Sequence, residues 1–175
     1  IKHFSIERSE IELISHSTTQ AVNALLEGDT VKVGIIGMGV GLEKSNEVKR
    51  TNIKNVELSL HKYLHTCYRF IDTSKYLDIN EITFTIASLK KEGADVLVVS
   101  EAYGVDDPSN EKYVMNYSDI PITGGHELTG IYGLEIRTLT AAINAGMMPK
   151  AISTAKYVEE AVRKENISCP IMIMK

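Results

Sequence analysis

Three hydroxyl side chains in a row, Ser17, Thr18 and Thr19, follow His16 and precede Gln20-Ala21-Val22-Asn23-Ala24-Leu25-Leu26-Glu27-Gly28. Ala21, Val22, Leu25 and Leu26 give a helical apolar stripe with Gly28 as its stop, and Ile11-Glu12-Leu13-Ile14 reads as a short buried strand. The hydroxyls therefore fall where a strand passes into a helix. The first N–H groups of a helix have no partner within it, so a Ser or Thr oxygen there caps them. The same N–H groups, at the positive end of the helix dipole, favour an anion such as phosphate. On residue type alone, a capped helix is sufficient explanation.

Three other constellations carry chemistry. His126-Glu127 follows Gly124-Gly125 at the end of the strand expected over 120–123, and ligands in open α/β sheets gather at the carboxyl ends of strands. A histidine and a carboxylate there suit general acid–base work, although a surface turn uses the same residues. On the helix expected from Leu134, Ile136, Leu139, Ile143 and Met147 form an apolar stripe beside a polar one of Arg137, Thr140 and Asn144. Arg137 and Asn144 would then reach another domain or a bound anion, since a guanidinium offers a planar fork of donors. His61, His65 and Cys67 fall on one face of a strand, but Tyr63 interleaves and no fourth ligand is apparent, so no metal site is expected.

Gly37-Met38-Gly39-Val40-Gly41 opens like a dinucleotide-binding loop. Leu42 stands where that loop needs a third small residue, and Glu57, at the ribose distance, falls in a strand. A nicotinamide-dependent reductase rests on this run alone, and an ordinary glycine loop accounts for it.

These groups need a scaffold of alternating strands and helices. Strands are expected over 31–37, within 56–70, over 95–100, 120–123 and 169–174. Helices are expected over 78–91, after Asp107-Pro108, over 134–148, and again from Pro149, which breaks the preceding helix. Asp78 and Glu81 read as a capping box, Leu77 and Ile82 as a staple, and Ile82, Ile86 and Leu89 as the buried stripe before Gly93. The alternation predicts an α/β fold with a largely parallel sheet and helices on both faces.

With 175 residues and a hydrophobic share of 43%, the chain forms one domain with a real core. A net charge of −4 and scattered Lys and Arg give no reason to expect nucleic acid. No apolar run approaches membrane-spanning length. Two cysteines make no disulfide framework, so the cytoplasm is the expected compartment. The chain opens on Ile1 and its last residues read as a strand cut at its end, so a piece of a longer protein is expected.

His16-Ser17-Thr18-Thr19 with Asn23-Ala24-Leu25-Leu26 resembles the His-Gly-Thr-Thr … Asn-Ala-Leu-Leu element of the hydantoinase/oxoprolinase family, N-terminal region. Glu135-Ile136-Arg137-Thr138-Leu139-Thr140-Ala141-Ala142-Ile143-Asn144-Ala145 through Pro149 is similar to its Arg-Thr-x-Thr-x-x-x-Asn-Ala-x-x-x-Pro helix. Gly93 to Ser100, with Ala102-Tyr103 and Pro108, resembles its middle strand and loop, and His126-Glu127 matches a Ser-His-Glu. Ser17 departs from the usual Gly, and Ile136 stands where a Glu is common.

The resemblance implies part of an actin-like ATPase-type (ribonuclease H-like) protein, with residues 1–28 belonging to the preceding nucleotide lobe. It implies ATP-dependent opening of a hydantoin-like or oxoproline ring, by a hydantoin-utilisation A-type subunit with a B-type partner. Phosphorylation of the amide oxygen would create the leaving group. ATP and Mg2+ are expected for the full-length protein with their main ligands outside this chain, which lacks the family's Gly-rich phosphate loops and alone should be inactive. Thr18, Thr19, Asn23, His126, Glu127, Arg137 and Asn144 are the candidate substrate- or phosphate-binding residues, and catalytic residues stay unassigned. An ATP-dependent ketone carboxylase subunit and a non-catalytic binding or assembly domain remain open.

Overall fold

A computed structural model describes residues 7–17, 20–40 and 44–174. The elements are a 3-10 turn Arg8–Glu10, β1 Ile14–Ser17, α1 Gln20–Glu27, β2 Val33–Gly39, α2 Lys44–Thr51, β3 Val56–Ser59, β4 Lys62–Leu64 and β5 Thr66–Asp72. They continue with α3 Ile79–Lys91, β6 Val96–Glu101, α4 Ser109–Met115, β7 Ile122–Gly124, α5 Gly125–Leu128, α6 Leu134–Lys164 and β8 Ile171–Met174.

The four-stranded sheet runs β5-β2-β6-β7 and every pairing is parallel. β2 and β6 are buried along their whole length, as strands covered on both faces must be. On one face Ile36, Met38, Ile71, Leu97 and Val99 pack against Ile82, Ile86 and Leu89 of α3 and Val114 of α4. On the other, Val33, Ile35, Val96 and Val98 meet Ala141, Ala142 and Ala145 of α6. The expected α/β class, parallel sheet and two helical layers are all present. β1 and β8 form a separate parallel pair, and β3 and β4 an antiparallel one.

α3 keeps the expected cap, staple and stop, but not the capping box: among the described residues Glu81 makes no return bond to the Asp78 N–H. Asp78 accepts from the Asn80 N–H at 2.9 Å, Leu77 and Ile82 share the core, and Gly93 leaves the helix at φ 91°.

Several expectations are corrected. The first strand lies at 14–17 rather than 11–14: its partner β8 pairs with those residues, while Ile11 closes the 3-10 turn. In α1 Ala24 is buried and Leu26 exposed, so the helix is rotated from the stripe read off its large residues. β2 runs to Gly39, so Gly37 and Gly39 lie inside a strand; Gly41 and Leu42 are outside the described residues. A Cβ on Gly37 would overlap the Thr51 hydroxyl and sit 2.6 Å from the Tyr68 hydroxyl, and one on Gly39 would overlap the Glu47 carboxylate. These glycines let α2, which was not foreseen, lie close on β2.

His61 occupies the turn after β3 at φ 59°, His65 lies between β4 and β5, and Cys67 is buried in β5. They do not share a face. Among the described residues no three His, Cys, Asp or Glu side chains are grouped to hold a metal ion.

α6 continues through Pro149. Proline removes one N–H and opens the preceding turn. There the Gly146 carbonyl accepts from the Val31 N–H at 3.1 Å, and Lys150 pairs with Asp29 at 2.6 Å, so contacts outside the helix hold it on both sides of the proline. The expected stripe of α6 is also displaced: Ile136 is 57% exposed, and the inward face is Leu134, Arg137, Thr138, Ala141, Ala142, Ala145 and Gly146. Among the described residues, no helix is long and apolar enough to cross a membrane.

Candidate functional site at the carboxyl ends of the central strands

Taken in chain order, the sheet strands stand second, first, third, fourth. The order therefore reverses between β2 and β6, and the crevice at their carboxyl ends is where open α/β sheets bind ligands. Met38 pairs with Glu101 at this edge. The Glu101 carboxylate accepts from the Thr73 hydroxyl at 2.7 Å and from the Asn110 amide at 3.1 Å. Thr73 is itself held by its N–H on the Gly39 carbonyl at 2.9 Å. Thus the loop after β5 and the start of α4 both converge on the end of β6.

Glu111, on the first turn of α4, is fully buried. One carboxylate oxygen accepts from the Glu101 N–H at 2.8 Å. The other accepts from the His126 N–H at 3.1 Å and lies 2.5 Å from His126 Nδ1. Gly104 leaves room for it, since a Cβ there would lie 2.5 Å from a Glu111 oxygen. The histidine rides on α5, immediately after β7, and its side chain is 13% exposed.

Arg137 completes the group from α6 and is fully buried. It donates to the Ile131 carbonyl at 2.8 Å and to the Glu101 carbonyl, while its Nε has no partner among the described residues. Burial pulls the guanidinium below its usual value, and the charge of Glu111 acts against that shift. Beside it Thr138 Oγ1 lies 2.8 Å from Ser100 Oγ. Gly125 packs here, where a Cβ would meet Ser100 Oγ at 2.7 Å and Arg137 Nε at 3.4 Å.

The sequence candidates are distributed unevenly. His126 and Arg137 enter this cluster. Glu127 is exposed and accepts from the Gly124 N–H at 2.8 Å, so it caps α5, and the carboxylate against His126 is Glu111 instead. Asn144 is half-buried two turns further along α6, roughly 10 Å from Arg137 by helical rise. Asn23 is exposed on α1, beside Asp29 and Lys150. Thr18 and Thr19 lie outside the described residues. Glu101, Glu111, Thr73 and Asn110 were not singled out from sequence. The one local sign was Glu101 closing an apolar strand at its carboxyl end.

An open cavity of about 780 Å3 lies elsewhere, between the end of α6 and β8. Its charged groups Glu159 and Arg163 pair with each other at 2.6 Å across one helical turn, so they do not converge on a ligand. The buried polar cluster is the better candidate.

Comparison with known proteins decides the family. The family model of the hydantoinase/oxoprolinase N-terminal region matches residues 1–119. The chain belongs to this family. The matched stretch carries Glu101 and Glu111 and stops short of His126 and Arg137. No curated protein matches the chain in sequence. The fold of this family member is similar to that of ATP-dependent caprolactamase from Pseudomonas jessenii, with a TM-score of 0.68 at 20% identity over 98% of this chain and 28% of that one. It is also similar to nucleotide-free acetone carboxylase, with a TM-score of 0.59 at 14% identity over 86% of this chain and 25% of that one. The chain spans roughly a quarter of either protein.

In this hydantoinase/oxoprolinase family member, burial pushes the Glu101 carboxyl above its ordinary value, against the hydrogen bonds from Thr73 and Asn110 and with help from the charges of Glu111 and Asp107. The folded state thus holds this proton more tightly than the unfolded one. Stability contributed by the protonated form is present below the unfolded value and is lost as pH rises through the folded one. Glu101→Gln is therefore expected to raise the urea midpoint at pH 7, with the advantage shrinking toward the unfolded carboxyl value of 4.5. Paired melts at the two pH values check this, and a variant weaker than wild type at pH 7 contradicts it.

Proposed function

We propose that this chain is part of an ATP-dependent enzyme that opens a small cyclic amide of the hydantoin or oxoproline kind. The family match over residues 1–119 carries the reading. The fold supports it, since nearly the whole chain superposes on an enzyme named as a caprolactamase, whose substrate class is a cyclic amide. ATP cleavage would supply the activation of the amide oxygen. On the family resemblance we place the main ligands for ATP and Mg2+ outside this chain, and Gly37 and Gly39, closed by Thr51 and Glu47, offer no open glycine loop for a phosphate. On the same resemblance, residues 1–28 are assigned to a neighbouring lobe; of these, β1 pairs with β8, whereas α1 packs against α6 and β3. On the family resemblance, Thr18 and Thr19 contact substrate or phosphate, a B-type subunit is the partner, and the compartment is the cytoplasm. His126 is the acid–base candidate, because it alone among the proposed site residues couples a partly exposed ring to a buried carboxylate.

A second reading, ATP-dependent ketone carboxylation, is favoured by the likeness to acetone carboxylase. The full-length protein, supplied with ATP and Mg2+, separates the two. Phosphate release with hydantoin, 5-oxoproline or caprolactam, together with the ring-opened product, is the expected result. Turnover only with acetone and bicarbonate selects the second reading, and ATP cleavage by the isolated 175-residue chain contradicts the placement of the nucleotide ligands.

A further inference from the structure

We infer that Glu111 is a positioning residue that fixes the tautomer of His126 and leaves Nε2 as the proton acceptor of the site. This deepens the proposed ring opening and rests on it. Backbone N–H groups donate whatever the tautomer of the ring. The backbone N–H groups of Glu101 and His126 address different oxygens of Glu111, at 2.8 and 3.1 Å. Each Glu111 oxygen therefore already serves as an acceptor. The Arg137 cation on α6 supplies the nearby positive charge. His126 Nδ1, at 2.5 Å from the same carboxylate, must then be the ring nitrogen that carries the hydrogen. In the neutral imidazole the lone pair is left on Nε2, which makes no hydrogen bond among the described residues, on a ring that keeps 13% of its side-chain surface exposed.

Glu111 does more than orient the ring. Its α4 backbone, the end of β6 and the start of α5 are all tied to the one carboxylate, so Nε2 is held by rigid elements and not by a loop. The other charged groups facing this region are otherwise engaged: Glu101 with Thr73 and Asn110, Glu127 with the Gly124 N–H, and Arg137 with two carbonyls. In ring opening, a water oxygen forms its bond to the amide carbon as one of its protons passes to Nε2. When the C–N bond breaks, that proton passes from Nε2 to the departing nitrogen, and the carboxyl phosphate left behind releases its phosphate to a second water. The imidazolium formed in between faces the Glu111 carboxylate, which stabilises it.

The test uses the full-length protein. Long-range 15N–1H spectra of the ring report the tautomer directly, and Nδ1–H is expected in wild type. His126→Gln is expected to lower kcat for cyclic-amide opening by about 10²–10⁴ with little change in KM, in a protein that melts as wild type does. Glu111→Gln is expected to lower kcat in the same direction and to populate the Nε2–H form. Should Glu111→Gln fail to fold, the wild-type tautomer and the His126 variant still decide the matter. An Nε2–H tautomer in wild type, or an unchanged kcat in folded His126→Gln, overturns the inference. A wild-type protein that opens no cyclic amide overturns the proposed function and the proton-transfer role with it, while the tautomer still decides the Glu111–His126 pairing.

Discussion

Arg137→Met is expected to remove a large share of the stability of the domain. The guanidinium is fully buried and makes two charge-assisted hydrogen bonds, to the carbonyls of Ile131 and Glu101. Hydrogen bonds to charged groups contribute roughly 1.5–3 kcal/mol each, so their loss amounts to about 3–6 kcal/mol. Methionine also leaves the buried Glu111 without its nearby cation. One term runs the other way, because Nε is buried without a partner among the described residues and its cost disappears with the guanidinium. Set against a typical folding free energy of about 5–15 kcal/mol, the net loss is still large. Arg137→Lys should fall between, since a single ammonium lacks the planar fork that reaches both carbonyls. Urea unfolding followed by circular dichroism gives the midpoints, with wild type above Lys above Met expected. A Met variant with the wild-type midpoint would show that the two carbonyls are satisfied without the arginine.

Gly37→Val is the second large effect. Gly37 lies in the middle of β2 on the face covered by α2. A Cβ there would overlap the Thr51 hydroxyl and approach Thr51 Cβ to 2.9 Å and the Tyr68 hydroxyl to 2.6 Å. Those two hydroxyls are bonded to each other at 2.9 Å, and Thr51 is bonded to the Glu47 carbonyl at 2.7 Å, so neither yields cheaply. Overpacking of this kind costs about 1–3 kcal/mol for added methylenes, and the two further methyls of valine place this site at the upper end. A lowered melting temperature is expected, and no saturable binding of NADH in either wild type or variant. An unaffected melt would return Gly37 to a solvent-facing loop and reopen the dinucleotide reading.

Those two residues show where reading the chain succeeds and where it stops. The α3 helix could be placed from local signals, because its cap at Asp78, its stripe of Ile82, Ile86 and Leu89 and its stop at Gly93 all act within a turn or two of one another. The β6 strand was equally plain, since a strand buried on both faces needs a continuous apolar run. Alternation of such elements is enough to specify a largely parallel α/β sheet. The site followed only in part: the carboxyl end of β7 pointed to His126, but the partner expected for it, Glu127, turns away to cap its own helix.

What the chain order conceals is decided by packing. α6 lies against β6 through Ala141, Ala142 and Ala145, and Gly146 meets Leu64, because only small side chains allow a helix so close to a sheet. A stripe chosen by large apolar residues therefore selects Ile136, which faces out, and leaves Arg137 facing in. The Glu111–His126 pair depends on the same logic at longer range. Fifteen residues separate the two, across α4 and β7, and no periodicity links them. They meet because the β6–α4–β7 crossover returns the chain to the same edge of the sheet, where a buried carboxylate must find every donor it can.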